Sequence, residues 1–91
     1  MVEIKFLARF RDITGVRSIN INHNGTVAEL INILIDMYGD EFKDALLDKE
    51  GELRDYMKLL INGEDFQATG GFDAEVKDED ELVIFQTIAG G

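Results

Sequence analysis

The chain has no cysteine, no proline and a single histidine among its 91 residues. Without a thiol there is no disulfide, no cysteine nucleophile, no iron–sulfur cluster and no thiolate zinc site. The lone His23 stands in the polar stretch NHNG, where a loop role is the expected one. Positive charge is scarce as well: 9 basic residues face 19 acidic ones, for a net charge of −10. Such a surface repels phosphate backbones and anionic lipid, so neither nucleic acid nor membrane is an expected partner. A partner with a basic docking surface fits better, the plainer alternative being acidity that only aids solubility. No apolar run approaches the roughly 20 residues that a membrane helix needs. The opening MVEIKFLARF carries charges inside a short alternation and lacks the apolar core of a secretory signal, so the expected location is the cytoplasm. Side-chain catalysis is left with carboxylates that read as solvated surface.

What is present suggests one small α+β domain. Val2, Ile4, Phe6, Ala8 and Phe10 share one parity while Glu3, Lys5 and Arg9 share the other, which predicts a half-buried strand over 2–10. The turn residues of DITG then lead into a second alternating stretch, RSININ, so a hairpin is expected. In TVAELINILIDMYG, Thr26 and Glu29 have capping-box spacing. Val27, Leu30, Ile31, Leu34 and Tyr38 form one helical stripe, and Gly39 suits a left-handed stop. Phe42 and Leu46 lie one turn apart in a short second helix, and Gly51 punctuates a charged loop. Asn62–Gly63 is a type I′ hairpin signal between two strands. ATGG is a loop, FDAEV is ambiguous, and KDEDE is a charged turn before the last strand, LVIFQ. One main helix over a mixed sheet of four or five strands follows. That last strand is apolar on both parities, as is Leu59–Ile61. A single main helix covers one sheet face, so part of the other is expected to form a partner site; burial under a loop is the alternative.

The end of the sequence, TIAGG, raises a different possibility. Two adjacent glycines carry little weight by themselves, since Gly70–Gly71 inside TGGF reads as an ordinary turn. A terminal pair beyond a core strand means more, because its carboxylate can be activated. Adenylation by ATP turns a carboxylate into an acyl-AMP open to sulfur or amine nucleophiles. Glycine lets the backbone enter a narrow pocket closely. Residues 86–91 can span roughly 20 Å. The division expected is thus a folded domain over 1–85 and a flexible tail over 86–91.

The whole chain resembles the MoaD/ThiS family of ubiquitin-like sulfur carriers. The resemblance is carried by VEIKFLARFRDITGVRS, TVAELINILIDMYG, LLINGEDF and KDEDELVIFQTIAGG. FLARFRDITGVRS and the long segment from Asp40 to Tyr56 are most similar to the MoaD branch, the small subunit of molybdopterin synthase; archaeal small modifier proteins share the diglycine end. The resemblance implies a β-grasp fold. It implies that Gly91 is adenylated by an E1-like enzyme of the MoeB/ThiF type and becomes a thiocarboxylate, with Gly90 and Gly91 inserted in a MoaE-type large subunit. That subunit would supply the catalytic side chains and deliver the sulfur to precursor Z. ATP would be used by the activating enzyme, and no cofactor is expected on this chain. Phe85, Ile88 and Ala89 are the residues expected to anchor the tail in a partner, Phe85 being equally readable as core. Asp78–Glu81 either steers toward a basic enzyme or is a solvated turn. Conjugation of Gly91 to lysines of target proteins, a ThiS-like role in thiamine synthesis, and a plain interaction module are the alternatives. Many family members carry a proline pair before the tail, where this chain has Gln86 and Thr87; without that stiffening the tail's entry is expected to be freer.

Overall fold

In the computed structural model, which describes residues 1–87, a five-stranded mixed sheet carries its helices on one face. Strand β1 (Val2–Phe6) pairs antiparallel with β2 (Ser18–Ile21) on one side. On its other side it pairs parallel with β7 (Glu81–Gln86), the last strand. β7 is antiparallel to β4 (Met57–Ile61), which forms a hairpin with β5 (Glu64–Asp65). The sheet order is therefore β2-β1-β7-β4-β5, with the final strand in the middle. A second, two-stranded ribbon joins β3 (Gly25–Thr26) to β6 (Glu75–Val76). This arrangement is the expected α+β, β-grasp architecture.

Helix α2 (Val27–Tyr38) packs across the sheet. Its start is fixed as the spacing predicts: the Glu29 amide donates to the Thr26 hydroxyl, and the Thr26 amide donates to the Glu29 carboxylate at 2.8 Å. Val27, Leu30, Ile31 and Leu34 are buried against Ile4, Phe6, Leu59, Leu82 and Ile84. Gly39 ends the helix with φ +83° and ψ −163°, a region open only to glycine, rather than in the left-handed helical well. The chain then turns directly into α3 (Asp40–Leu46), whose Phe42, Ala45 and Leu46 are buried. Asn62 and Gly63 both take positive φ, as a type I′ turn requires. Two short 3₁₀ turns, Phe66–Thr69 and Gly71–Asp73, fill the stretch before β6.

One expectation fails. The strand predicted over 2–10 stops at Phe6, and Arg9–Thr14 is helical (α1). The link between β1 and β2 is thus a helical turn and not a tight hairpin loop. The cause is packing. Phe6 and Phe10, four residues apart, have a spacing that suits either period, and the helix leaves Ala8 exposed while it carries Phe10 beneath the end of the sheet. There it meets Phe42 edge-on at 5.4 Å, while Phe6 meets Phe42 at 6.1 Å and Tyr38 at 5.8 Å. An extended chain would leave that aromatic cluster open.

Several carboxylates tie turns to the scaffold. Asp80 accepts from the Asn62 side chain at 3.0 Å and the Lys77 amide at 2.9 Å, and both lower its pKa. The Glu29 carboxyl is lowered by the Thr26 amide and then its hydroxyl, and Asp65 by the Gln67 amide and then Lys58. A carboxyl with a depressed native pKa adds stability that is complete above its unfolded value and is lost as pH falls through the native one. Urea midpoints are therefore expected to hold above the ordinary carboxylate range and to drop below it. Asp80→Asn is expected to flatten that acid limb, and an unchanged limb shows that the Asp80 contacts add nothing.

Candidate functional site

Strand β7 alternates between two environments. Leu82 and Ile84 are fully buried under α2, whereas Val83 and Phe85 are half-buried on the sheet's outer face. The register sets Val83 between Lys5 of β1 and Leu60 of β4, and Phe85 opposite Lys58. Leu60, Val83 and Phe85 thus form a short apolar strip that no helix covers. Ion pairs flank it, Lys5 with Glu81 at 3.0 Å and Lys58 with Asp65 at 3.2 Å. Glu81 raises the pKa of Lys5, first by accepting its hydrogen bond and then by its charge. The second apolar parity of the last strand is therefore an outer surface, as expected. Phe85 belongs to that surface and not to the deep core.

The strand also runs one residue beyond the expected edge of the folded part. Gln86 is its last residue, paired with Met57. Thr87 then donates both its amide (2.7 Å) and its hydroxyl (3.0 Å) to the carbonyl of Tyr56. Ile88, Ala89, Gly90 and Gly91 lie outside the described residues. Tyr56 itself is partly exposed and lines a shallow cleft of about 190 Å³ with Asp48, Arg54 and Asp55. Neither Tyr56 nor Thr87 is marked by any sequence motif. Leu60, by contrast, was visible as the odd-parity residue of LLI.

Charge is distributed unevenly along the sheet. Arg9 and Arg11 follow the end of β1, the Arg17 carbonyl accepts from Phe6 at that same end, and Arg54 precedes β4. All four arginines of the chain thus lie where Thr87 leaves the sheet, interspersed with Asp12, Asp44 and Asp55. The acidic run Asp78–Glu81 sits at the opposite end, leading into β7, of which Glu81 is the first residue. Its Asp78 pairs with the amino group of Met1, Asp80 holds the Asn62 turn, and Glu81 holds Lys5. That run is chiefly a structured turn. His23 is likewise structural: its Nε2 lies 3.2 Å from the Thr26 carbonyl at the start of α2.

Among the described residues, no cluster of three or more His, Asp or Glu is placed to hold a metal ion, and no side-chain polar atom is buried without a partner. No helix among them is long and apolar enough to cross a membrane. The arrangement offers a compact domain, an uncovered apolar strip on its central strand, and an exit point for the last residues at the end of that strand.

Known proteins share this arrangement. The ThiS family matches residues 4–91. A proposed sulfur carrier protein of Archaeoglobus fulgidus is 33% identical over 66 residues, covering 72% of this chain and 74% of that one. Small archaeal modifier protein 3 of Haloferax volcanii is 28% identical over 92 residues, covering 99% and 98%. Among solved structures, the Amycolatopsis orientalis BexX/CysO complex contains a chain that aligns over 100% of both lengths, with a TM-score of 0.83 and 33% identity. With the fold, the central tail-bearing strand and a match that includes the final glycines, the chain belongs to the ThiS/MoaD family of ubiquitin-like sulfur carriers and small modifiers.

Proposed function

We propose that this chain carries sulfur on the carboxyl group of Gly91, as the small subunit of a molybdopterin synthase. The observation that supports it best is the position of β7. The strand that leads to the diglycine is central, is hydrogen-bonded on both sides, and leaves the sheet beside an uncovered apolar strip. A partner that docks on Leu60, Val83 and Phe85 meets the emerging tail in the same encounter. The ordered segment from Asp40 to Tyr56, which resembles the MoaD branch, favours molybdopterin over thiamine as the destination.

The chemistry is as follows. A Gly91 carboxylate oxygen attacks the α-phosphorus of ATP in an E1-like enzyme, and pyrophosphate leaves. A hydrosulfide equivalent then attacks the acyl carbon, AMP departs with the bridging oxygen, and loss of the thiol proton leaves a thiocarboxylate. In the large subunit the thiocarboxylate sulfur would attack an electrophilic acceptor carbon and displace an oxygen substituent, which leaves with the electron pair of the broken C–O bond and takes up a proton. Water then cleaves the acyl–sulfur bond, leaving sulfur on the acceptor and restoring the carboxylate. The catalytic side chains belong to the partners; Gly90 and Gly91 give the tail its narrow profile, and Phe85, Ile88 and Ala89 seat it.

Incubation with an E1-like enzyme, ATP and a sulfur donor is expected to raise the intact mass by the difference between sulfur and oxygen, with the gain on the C-terminal fragment. No gain with any E1-like enzyme of the native host counts against sulfur carriage. Phe85→Ala is expected to weaken binding to the activating enzyme or the large subunit about 5–30-fold, the effect of losing one interface anchor. Its stability cost should stay below that of Ile84→Ala, which removes a fully buried side chain at about 2–5 kcal/mol. Unchanged partner affinity removes Phe85 from the docking strip.

A second reading, protein modification through Gly91, is favoured by the similarity to small archaeal modifier protein 3 over almost the full length of both chains. The same acyl-adenylate would then be attacked by a lysine amine. Gly-Gly remnants on lysines of native-host proteins, lost when the gene is deleted, are the expected result; their absence under several growth conditions argues for sulfur carriage alone.

A further inference from the structure

The β4–β7 ladder ends where Gln86 faces Met57. One step further on, a single carbonyl, that of Tyr56, receives both the amide and the hydroxyl of Thr87, at 2.7 and 3.0 Å. That carbonyl is held on a knitted loop. Leu47 bridges to Leu53, and the Asp48 carboxylate accepts from the amides of Glu50 and Glu52, both at 2.9 Å. The Asp48 amide donates to the Glu52 carbonyl at 2.8 Å. Arg54 fastens the loop to α3 by its amide on the Leu46 carbonyl (3.1 Å) and its Nε on the Asp44 carbonyl (2.7 Å). The charged segment between α3 and β4 is thus a platform, with the Tyr56 carbonyl at its rim.

We infer that Thr87 is the anchored root of the tail, and that its hold on Tyr56 aims the terminal residues at the partner's site. Thr87 is a positioning residue, and the inference rests on the carrier reading above. Its consequence is geometric. A tail free from residue 86 onward spans roughly 20 Å, whereas the four residues past Thr87 span at most about 13–14 Å. Gln86 is already held by β4, so Thr87 shortens the free tail from five residues to four; because effective concentration falls as about the −3/2 power of linker length, this raises it about 1.4-fold. A fixed starting direction adds to this. The freedom expected from the absence of proline is thereby withdrawn at Thr87: two hydrogen bonds supply the constraint that a ring would have supplied covalently. Unlike a ring, they can open once the partner has engaged the strand.

The test compares the full chain with Thr87→Val, which keeps the branched shape and deletes the hydroxyl, and Thr87→Ser, which restores it. By NMR amide exchange on the free protein, the residue 87 amide is expected to be protected in the wild type and in Thr87→Ser. In Thr87→Val that protection is expected to fall about 2–5-fold, the net worth of one exposed hydrogen bond. An unprotected Thr87 amide in the wild type overturns the anchor. Pyrophosphate release is then followed with ATP and the E1-like adenylating enzymes of the same genome. Thr87→Val is expected to raise KM for the carrier about 2–5-fold with kcat within about twofold, and Thr87→Ser to return KM to the wild-type value. If the wild type turns over and Thr87→Val shows the same KM, or if Thr87→Ser fails to restore it, the aiming role is wrong while the carrier reading stands. A wild type that no E1-like enzyme activates sinks the carrier reading and the aiming role with it.

Discussion

The parallel pairing of β1 with β7 is the contact on which the rest of the molecule is arranged. Parallel neighbours cannot be joined by a tight turn. Here all of the chain from Leu7 to Asp80 is the connection between two adjacent strands. The pairing sets Ile4 and Phe6 beside Leu82 and Ile84, all at most 1% exposed, and α2 lies over them. It also places the last strand in the centre of the sheet, with β2 and β5 at the edges. The strand that leads to the tail is held by ladders on both sides. A partner can draw on it without peeling an edge strand from the domain.

The same topology divides the work of the two sheet faces. The helices on one face provide the apolar burial that keeps a domain of this size folded. The other face is left with what the strand alternation puts there: Leu60, Val83 and Phe85, with Lys5, Lys58, Glu81 and Asp65 around them. Exposed ion pairs of this kind stabilise a fold by little. Their effect on association is larger, because charges at the rim of an apolar strip set the approach and register of a partner. The strip is small, and its value lies in being continuous with the strand that carries the tail.

What could be read in the sequence was what depends on near neighbours. The Thr26–Glu29 cap, the stripe of α2, the Asn62–Gly63 turn and the pairing of Phe42 with Leu46 in α3 are each encoded within a few residues. The passage from β1 to β2 was misread for a related reason. Phe6 and Phe10, four apart, satisfy a two-residue and a helical period alike, and the choice is made by Phe42, 32 positions beyond Phe10, on α3. The β3–β6 ribbon was missed because strands of two residues leave no periodicity. On the site, the outward parity of Phe85 and Val83 was visible as an excess of apolar residues in one strand. The Tyr56–Thr87 contact was not, since it joins residues 31 positions apart through a backbone carbonyl that has no sequence signature.

These features together bear on how the domain would act in the proposed carrier role. An enzyme lowers a barrier largely by holding reacting groups in place and by presenting fixed charges to the transition state. In the proposed role the second task would fall to the partners, which would bring the nucleotide and the polar side chains. The first is shared, and this chain's part in it is mechanical. The core holds β7 in the middle of the sheet, the outer strip would set where a partner settles, and the platform between α3 and β4 holds Thr87. Each step narrows the volume in which a terminal carboxylate is found once the partner is bound, and so raises its effective concentration at the reacting centre. In the proposed role, binding energy gained at Leu60, Val83 and Phe85 would be converted into position at Gly91. A terminal group can be delivered accurately only if everything up to its root is stiff.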